Sequence, residues 1–190
     1  MSRDLMFKDE IQRLVADAYH GLQRPDGPGA DLYEPEQLGW LPEDALAWML
    51  GVGNPVPHAH LQEGDRVIDL GCGAGIDTLL AAREVGPTGR AIGIDLLPSM
   101  VDRGRALAAD TGLGNVELIT AEMEDLPLPG SSVDAVISNG AINLSARKSR
   151  VLAEAFRVLR PGGRLAVSDL TIREEELPAE VLTHPSAWAG

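Results

Sequence analysis

Cysteine is all but missing from this sequence, since Cys72 stands alone among 190 residues. A single thiol rules out an internal disulfide and any multi-cysteine zinc site. Basic residues are also scarce, with 16 Lys and Arg against 29 Asp and Glu and a formal net charge of -13. A surface of that average sign repels nucleic acid and anionic membranes alike, which argues against non-specific binding to either. A small-molecule or cationic partner fits better. No apolar run approaches the roughly 20 residues of a membrane span. The N-terminal stretch "MSRDLMFKDE" lacks the apolar core of a signal peptide, so a cytoplasmic location is expected.

What is present has the balance of a folded globular chain, with 44% hydrophobic and 24% charged residues. The length suits one domain. Phe7, Ile11, Leu14, Val15, Ala18, Tyr19 and Leu22 recur at helical spacing and predict an amphipathic helix over 7–22. "QRPDGPGADLYEPEQLG" reads as an irregular connection. A short helix over 42–50, with Pro42 in its first turn, is stopped by "GVGNP".

From residue 66 onward short apolar runs alternate with helical segments. The strands are expected at 66–70, 91–95, 116–119, 133–138 and 164–169. The helices are expected at 76–85, ended by Gly86, at 98–110, ended by Gly112, and at 148–159, ended by "RPGG". "AEMEDLPLPGSS" reads as loop. Strands alternating with helices imply parallel pairing through right-handed crossovers, hence a doubly wound α/β sandwich.

In such a sheet the first strand-to-helix turn is the usual ligand cradle. Here it lies in "VIDLGCGAGIDTLLAA", with glycine at 71, 73 and 75. Alternate glycines remove Cβ atoms where a ligand must lie against the main chain. The dinucleotide fingerprint G-x-G-x-x-G fails because position 76 is Ile76, and no Gly-Lys-Ser/Thr follows to make a phosphate-binding P-loop. What stands is D-x-G-x-G-x-G, built from Asp69, Gly71, Gly73 and Gly75 around Cys72.

That loop resembles the first motif of the Rossmann-like S-adenosylmethionine-dependent methyltransferases. The resemblance implies S-adenosyl-L-methionine as cofactor and a mostly parallel five-stranded core over 61–170. An N-terminal helical cap over 1–60 would precede the core, and a tail over 171–190 would follow it. It further implies that Asp95, followed by Leu96 at the end of the second strand, accepts hydrogen bonds from the ribose hydroxyls. In "AEMEDLP", Glu122 would accept from the adenine amine and the Met123 backbone would face the ring. "ISNGAIN", with Asn139, would lie beside the methionine moiety and the incoming substrate.

"LGVGNP", "AAREVGPTGRAIGID", "SNGAINLS", "EAFRVLRPGGRLAVSDL" and "ELPAEVLTHPSAWAG" resemble, in the same order, the arsenite methyltransferase group of that family. Its members hold trivalent arsenic through cysteine thiolates, soft ligands for a soft centre. At the corresponding positions this chain has Val52, Thr78 and Gly140, and the next such position would be 191, just past Gly190. Fold and cofactor are expected to carry over; arsenic chemistry is not. Cys72 reads as a small buried residue. A selenocysteine codon read as stop would account for an end at that point, against the blander account of an ordinary stop codon or a cloning boundary. A chain ending there would leave the fifth strand as a sheet edge, and a homodimer or an exchanged C-terminal segment is expected to cover it.

Methyl transfer is an in-line displacement at a carbon that the sulfonium already activates, so positioning and exclusion of water are the main requirements. A hydroxyl, amine or carbon acid as acceptor would need a general base. His58, His60 and His184 are candidates near the expected mouth, but no one of them is singled out. His58 and His60 lack a third ligand of recognisable metal-site spacing. The favoured reading is a methyltransferase acting on a small molecule. A cofactor-binding relic or interaction module without catalysis is the alternative, and a nicotinamide oxidoreductase ranks third.

Overall fold

The computed structural model describes residues 3–19, with side chains from Glu10, and residues 29–171. Its helices are α1 (Arg3–Tyr19), α2 (Pro35–Leu38), α3 (Ile76–Glu84), α4 (Pro98–Thr111) and α5 (Lys148–Val158). Its strands are β1 (Arg66–Leu70), β2 (Arg90–Asp95), β3 (Val116–Thr120), β4 (Val133–Asn139) and β5 (Leu159–Ser168). They form one sheet in the order β3-β2-β1-β4-β5, and every pairing is parallel. The chain therefore winds outward from β1 in one direction and from β4 in the other. The switch point lies between β1 and β4, where the crevice beyond the strands' carboxyl ends is open to a ligand.

Register places the site residues. Leu70 pairs with Ile94 on β2 and with Ser138 on β4, so the carboxyl ends of these strands finish level. Asp69, Asp95 and Asn139 consequently share one rim of the sheet. Below the rim the central strands β1, β2 and β4 are buried on both faces and largely apolar, as the middle of a parallel sheet requires. Ile68, Leu70, Ile92, Ile94 and Val136 pack with Val151, Ala155 and Val158 of α5. Val67, Ala91, Ala135 and Ile137 pack with Leu79, Leu80 and Ala81 of α3 and with Tyr33, Ala45 and Met49 from the N-terminal cap. A fully buried side chain such as Ile68 or Leu79 contributes about 1.5 to 3 kcal/mol.

The five strands and three core helices stand where the sequence puts them, with three local differences. The expected irregular connection holds a turn of 3-10 helix at Ala30–Leu32 and the one-turn α2. Pro35 begins α2, and Glu34 and Gln37 cap it reciprocally. The helix expected over 42–50 is a 3-10 helix at Glu43–Trp48, and Pro42 precedes it with an extended ψ of 142°. Finally, "RPGG" follows the end of α5 but belongs to β5. α5 stops at Val158, and the four residues bulge out of β5, because Val133 pairs with Leu159 while Ala135 pairs with Arg164. Gly162 supplies the positive φ of 82° that this excursion needs. Residues 20–22 of the expected first helix, His184 and most of the tail lie outside the described residues. Among those described, no helix is long and apolar enough to cross a membrane, and β5 pairs only with β4, with Leu165 and Val167 exposed.

One buried carboxylate fastens the loop over residues 121–132 to the core. Glu154 on α5 is 3% exposed and accepts from Arg157 Nη2 at 2.6 Å, Arg157 Nε at 2.8 Å and the Leu126 amide at 2.9 Å. Arg157 in turn donates to the carbonyls of Leu126 and Leu128. The Arg157 bonds hold the Glu154 carboxyl at about 2, below its ordinary 4.5. A depressed carboxylate contributes stability that is complete above the unfolded value and is lost as pH falls through the folded one. Glu154→Gln should therefore lower stability by roughly 2 to 3 kcal/mol at neutral pH. Urea titrations at a series of pH values should show the gap closing from about 4.5 down to about 2.

Candidate functional site

A cleft of about 150 Å³ lies over the carboxyl ends of β1, β2 and β4, under the cap. The glycine loop floors it, with φ of 70° at Gly71, 53° at Gly73 and 80° at Gly75. The loop is tied to β2 because the amides of Gly71 and Cys72 both donate to the Ile94 carbonyl, at 2.8 and 2.9 Å. Its three glycines have different reasons to be glycine. A Cβ on Gly71 would come within 2.2 Å of the Ala141 methyl, and one on Gly75 within 3.3 Å of Leu118. A Cβ on Gly73 would meet nothing within 4 Å. Gly73 alone therefore opens the floor of the cleft, whereas the other two serve protein packing.

Asp95 and Leu96 line the cleft beside Gly73. Asp95 Oδ2 accepts from the Gly73 amide and Oδ1 from the Leu97 amide, each at 2.8 Å. Each carboxylate oxygen has room for a second donor. Burial raises the Asp95 pKa, and the backbone donors oppose that shift. Asp69 is 2% exposed and accepts from Thr78 Oγ1 at 2.7 Å. Burial, then the charge of Asp77, pushes its carboxyl well above the usual range. Cys72 is half-buried, and burial together with Asp69 and Asp95 pushes its thiol well up. The thiol form therefore prevails over the thiolate that a reactive cysteine needs.

Asn139 lines the same cleft, but the protein itself uses its amide. Oδ1 accepts from the amides of Val52 and Gly53 at 2.9 and 3.0 Å. Nδ2 lies 2.7 Å from the Gly53 carbonyl, 2.9 Å from Asp77 Oδ2 and 3.0 Å from Tyr33 Oη. Two hydrogens face three acceptors, so none is left for a ligand. Tyr33 Oη completes the group by donating to Asp77 Oδ1 at 2.7 Å.

Sequence reasoning missed both Tyr33 and Asp77. Tyr33 sits in a Pro- and Gly-rich stretch without periodicity, and an acid in the first turn of α3 reads as an ordinary helix-end residue. Burial raises the Asp77 pKa. Asp69, Asp77 and Asp95 are thus three buried or half-buried acids around one loop, and no Lys or Arg pairs with them among the described residues. The arrangement favours a ligand that brings positive charge.

Glu122 and Met123 line the far side of the cleft. The following Glu124 accepts from Ser145 Oγ at 2.5 Å, and its carbonyl accepts from Arg150. The cap wall is largely apolar, with Ile11 and Val15 of α1 and then Trp48 and Met49. The buried Trp48 indole N–H has no acceptor among the described residues. His58 and His60 do not line the cleft. Among the described residues no three His, Cys, Asp or Glu side chains are grouped to hold a metal ion. At the positions where the resembled group carries cysteine, Thr78 is fully buried on Asp69, whereas Val52 and Gly140 meet. A Cβ on Gly140 would lie 3.5 Å from Val52 Cγ2.

Comparison with known proteins finds relatives of the chain. The methyltransferase domain family matches residues 61–189. An arsenite methyltransferase of Halobacterium salinarum is 44% identical over 161 residues, 82% of this chain and 41% of that protein. A demethylmenaquinone methyltransferase of Symbiobacterium thermophilum is 38% identical over 110 residues, 57% of this chain and 44% of that protein. The crystal structure of an arsenic(III) S-adenosylmethionine methyltransferase from Chlamydomonas reinhardtii superposes with a TM-score of 0.71 at 40% identity, over 80% of this chain and 53% of that one. The chain spans less than half the length of these two curated relatives.

The unequal glycines give a stability test. Gly73→Ala should cost only the strain of a positive φ, about 1 to 2 kcal/mol. Gly71→Ala adds a backbone-held clash with Ala141 and should cost roughly 1 to 3 kcal/mol more. Urea unfolding of the two variants in the absence of ligand measures the difference, and equal losses would contradict the separation drawn between the two glycines.

Proposed function

The chain belongs to the methyltransferase domain family, and we propose that its cleft binds S-adenosyl-L-methionine and methylates a small molecule other than arsenite. The observation that carries this reading is the junction of Gly73 with Asp95, where an open floor meets a carboxylate with spare acceptor capacity. The cofactor fits on two counts. Gly73 leaves space that no protein atom fills, and the acids around the loop suit a ligand with a sulfonium and an ammonium group. Asp95 would accept from the ribose hydroxyls, Glu122 from the adenine amine, and Leu96 and Met123 would flank the ring. When bound, the cofactor supplies a methyl group activated by its sulfonium.

The chain's own contribution is orientation and dryness. The Asp95 bond to the Gly73 amide fixes the loop against β2, and the apolar cap residues Ile11, Val15, Trp48 and Met49 keep water from the acceptor side. Among the described residues Cys72 is the one thiol that lines the cleft. Gly140 lines the cleft with Val52 packed beside it, Thr78 is buried on Asp69, and burial favours the thiol form of Cys72, so no thiolate stands ready for a soft centre.

Calorimetry should show binding of S-adenosyl-L-methionine and of its demethylated product. Asp95→Ala should weaken that binding by roughly 1.5 to 3 kcal/mol, the range for hydrogen bonds to a charged group. A variant that keeps the wild-type circular dichroism and affinity would sink the assignment, as would preference for a nicotinamide dinucleotide. Incubation with arsenite, a reductant and S-adenosyl-L-methionine should give no methylated arsenic above a no-enzyme control. Methylated product there would show that thiols at 52, 78 and 140 are dispensable.

A further inference from the structure

We propose that Tyr33, Asp77 and Asn139 form a latch that holds the cap closed over the cleft, so that cofactor exchange waits on its opening. The three side chains come from three different elements. Tyr33 belongs to the cap, Asp77 opens α3 directly after the glycine loop, and Asn139 ends β4. Tyr33 Oη donates to one Asp77 oxygen at 2.7 Å, and Asn139 Nδ2 lies 2.9 Å from the other. Asn139 then grips the main chain of the cap, accepting from Val52 and Gly53 and reaching the Gly53 carbonyl at 2.7 Å. The grip is close, since a Cβ on Gly51 would lie 2.2 Å from Asn139 Nδ2.

All three side chains line the cleft, so the bonds that seat the cap are also part of the cofactor's surroundings. Apolar side chains could hold the cap as firmly, and a buried polar group adds stability only when every member is satisfied. Such a junction is all-or-none, because loss of the Tyr33 hydroxyl leaves a buried Asp77 oxygen without its donor. Tyr33 and Asp77 act through Asn139 and the cap backbone, and are therefore positioning residues.

The inference rests on the reading that the cleft takes S-adenosyl-L-methionine, but half of its test does not. In ligand-free protein, hydrogen exchange at the Val52 and Gly53 amides should speed up about tenfold in Tyr33→Phe and in Asp77→Asn, with exchange at Ile68 in β1 unchanged. In stopped-flow binding of S-adenosyl-L-methionine, followed by tryptophan fluorescence, Tyr33→Phe should raise the association and dissociation rates together by about tenfold. The ratio, and hence Kd, should move by less than about threefold. Unchanged exchange at Val52 and Gly53 would overturn the latch. So would faster exchange spread through β1, which marks general destabilisation. A rise in dissociation alone, matched by a weaker Kd, would instead make Tyr33 a direct cofactor contact. If wild type binds no S-adenosyl-L-methionine, the functional reading falls and the amide exchange alone decides the latch.

Discussion

Buried carboxyl groups without a cationic partner organise the cleft. Asp69, Asp77 and Asp95 surround one glycine loop, burial raises the pKa of each, and no Lys or Arg pairs with them among the described residues. A buried carboxylate in that position must be hydrogen-bonded or neutralised. The donors that answer this need come from every part of the site: Thr78 for Asp69, Tyr33 and Asn139 for Asp77, and the amides of Gly73 and Leu97 for Asp95. In supplying them the chain fixes the start of α3, the cap, the floor of the loop and the turn into α4. A ligand carrying fixed positive charge completes what these hydrogen bonds leave undone.

The three central strands β1, β2 and β4 were readable because they are buried on both faces and therefore appear as short apolar runs. The outer strands β3 and β5 are more exposed and were readable from the alternation of strands with helices. The glycine loop and Asp95 were readable for a local reason as well, since close approach and positive φ restrict residue type. β5 began earlier than expected because Pro161, Gly162 and Gly163 look like an ending when they form a bulge. The Tyr33, Asp77 and Asn139 group was not readable. Its bonds join positions 44, 62 and 106 residues apart, and no short pattern encodes a contact of that range. Asn139 was expected beside the methionine moiety; it lines the cleft, and its amide is hydrogen-bonded to the cap.

The corner formed by Val52 and Gly140 differs from a thiol-lined corner in more than the loss of sulfur. Gly140 has a φ of 70°, a conformation that side-chain-bearing residues seldom adopt. A cysteine there would be strained by that φ, although its Cβ would meet Val52 only at ordinary contact distance, so the backbone has a form suited to glycine. The third position, Thr78, is fully buried and engaged with Asp69.

The two walls of the cleft have different origins. The floor and far side, from the glycine loop to Asn139, fall within the matched methyltransferase domain at 61–189, whereas α1 and the segment that carries Tyr33, Trp48, Met49 and Gly51 precede it. Polarity is concentrated on the domain side, where a charged cofactor must be held, and the cap side is largely apolar. Methyl transfer from a sulfonium asks little of side-chain chemistry and much of alignment and dryness. The family can therefore keep one cofactor site while the identity of the acceptor is set by whatever the cap presents to it. In this chain the cap presents a largely apolar wall, and the Tyr33, Asp77 and Asn139 hydrogen bonds join it to the rim of the sheet that carries the glycine loop.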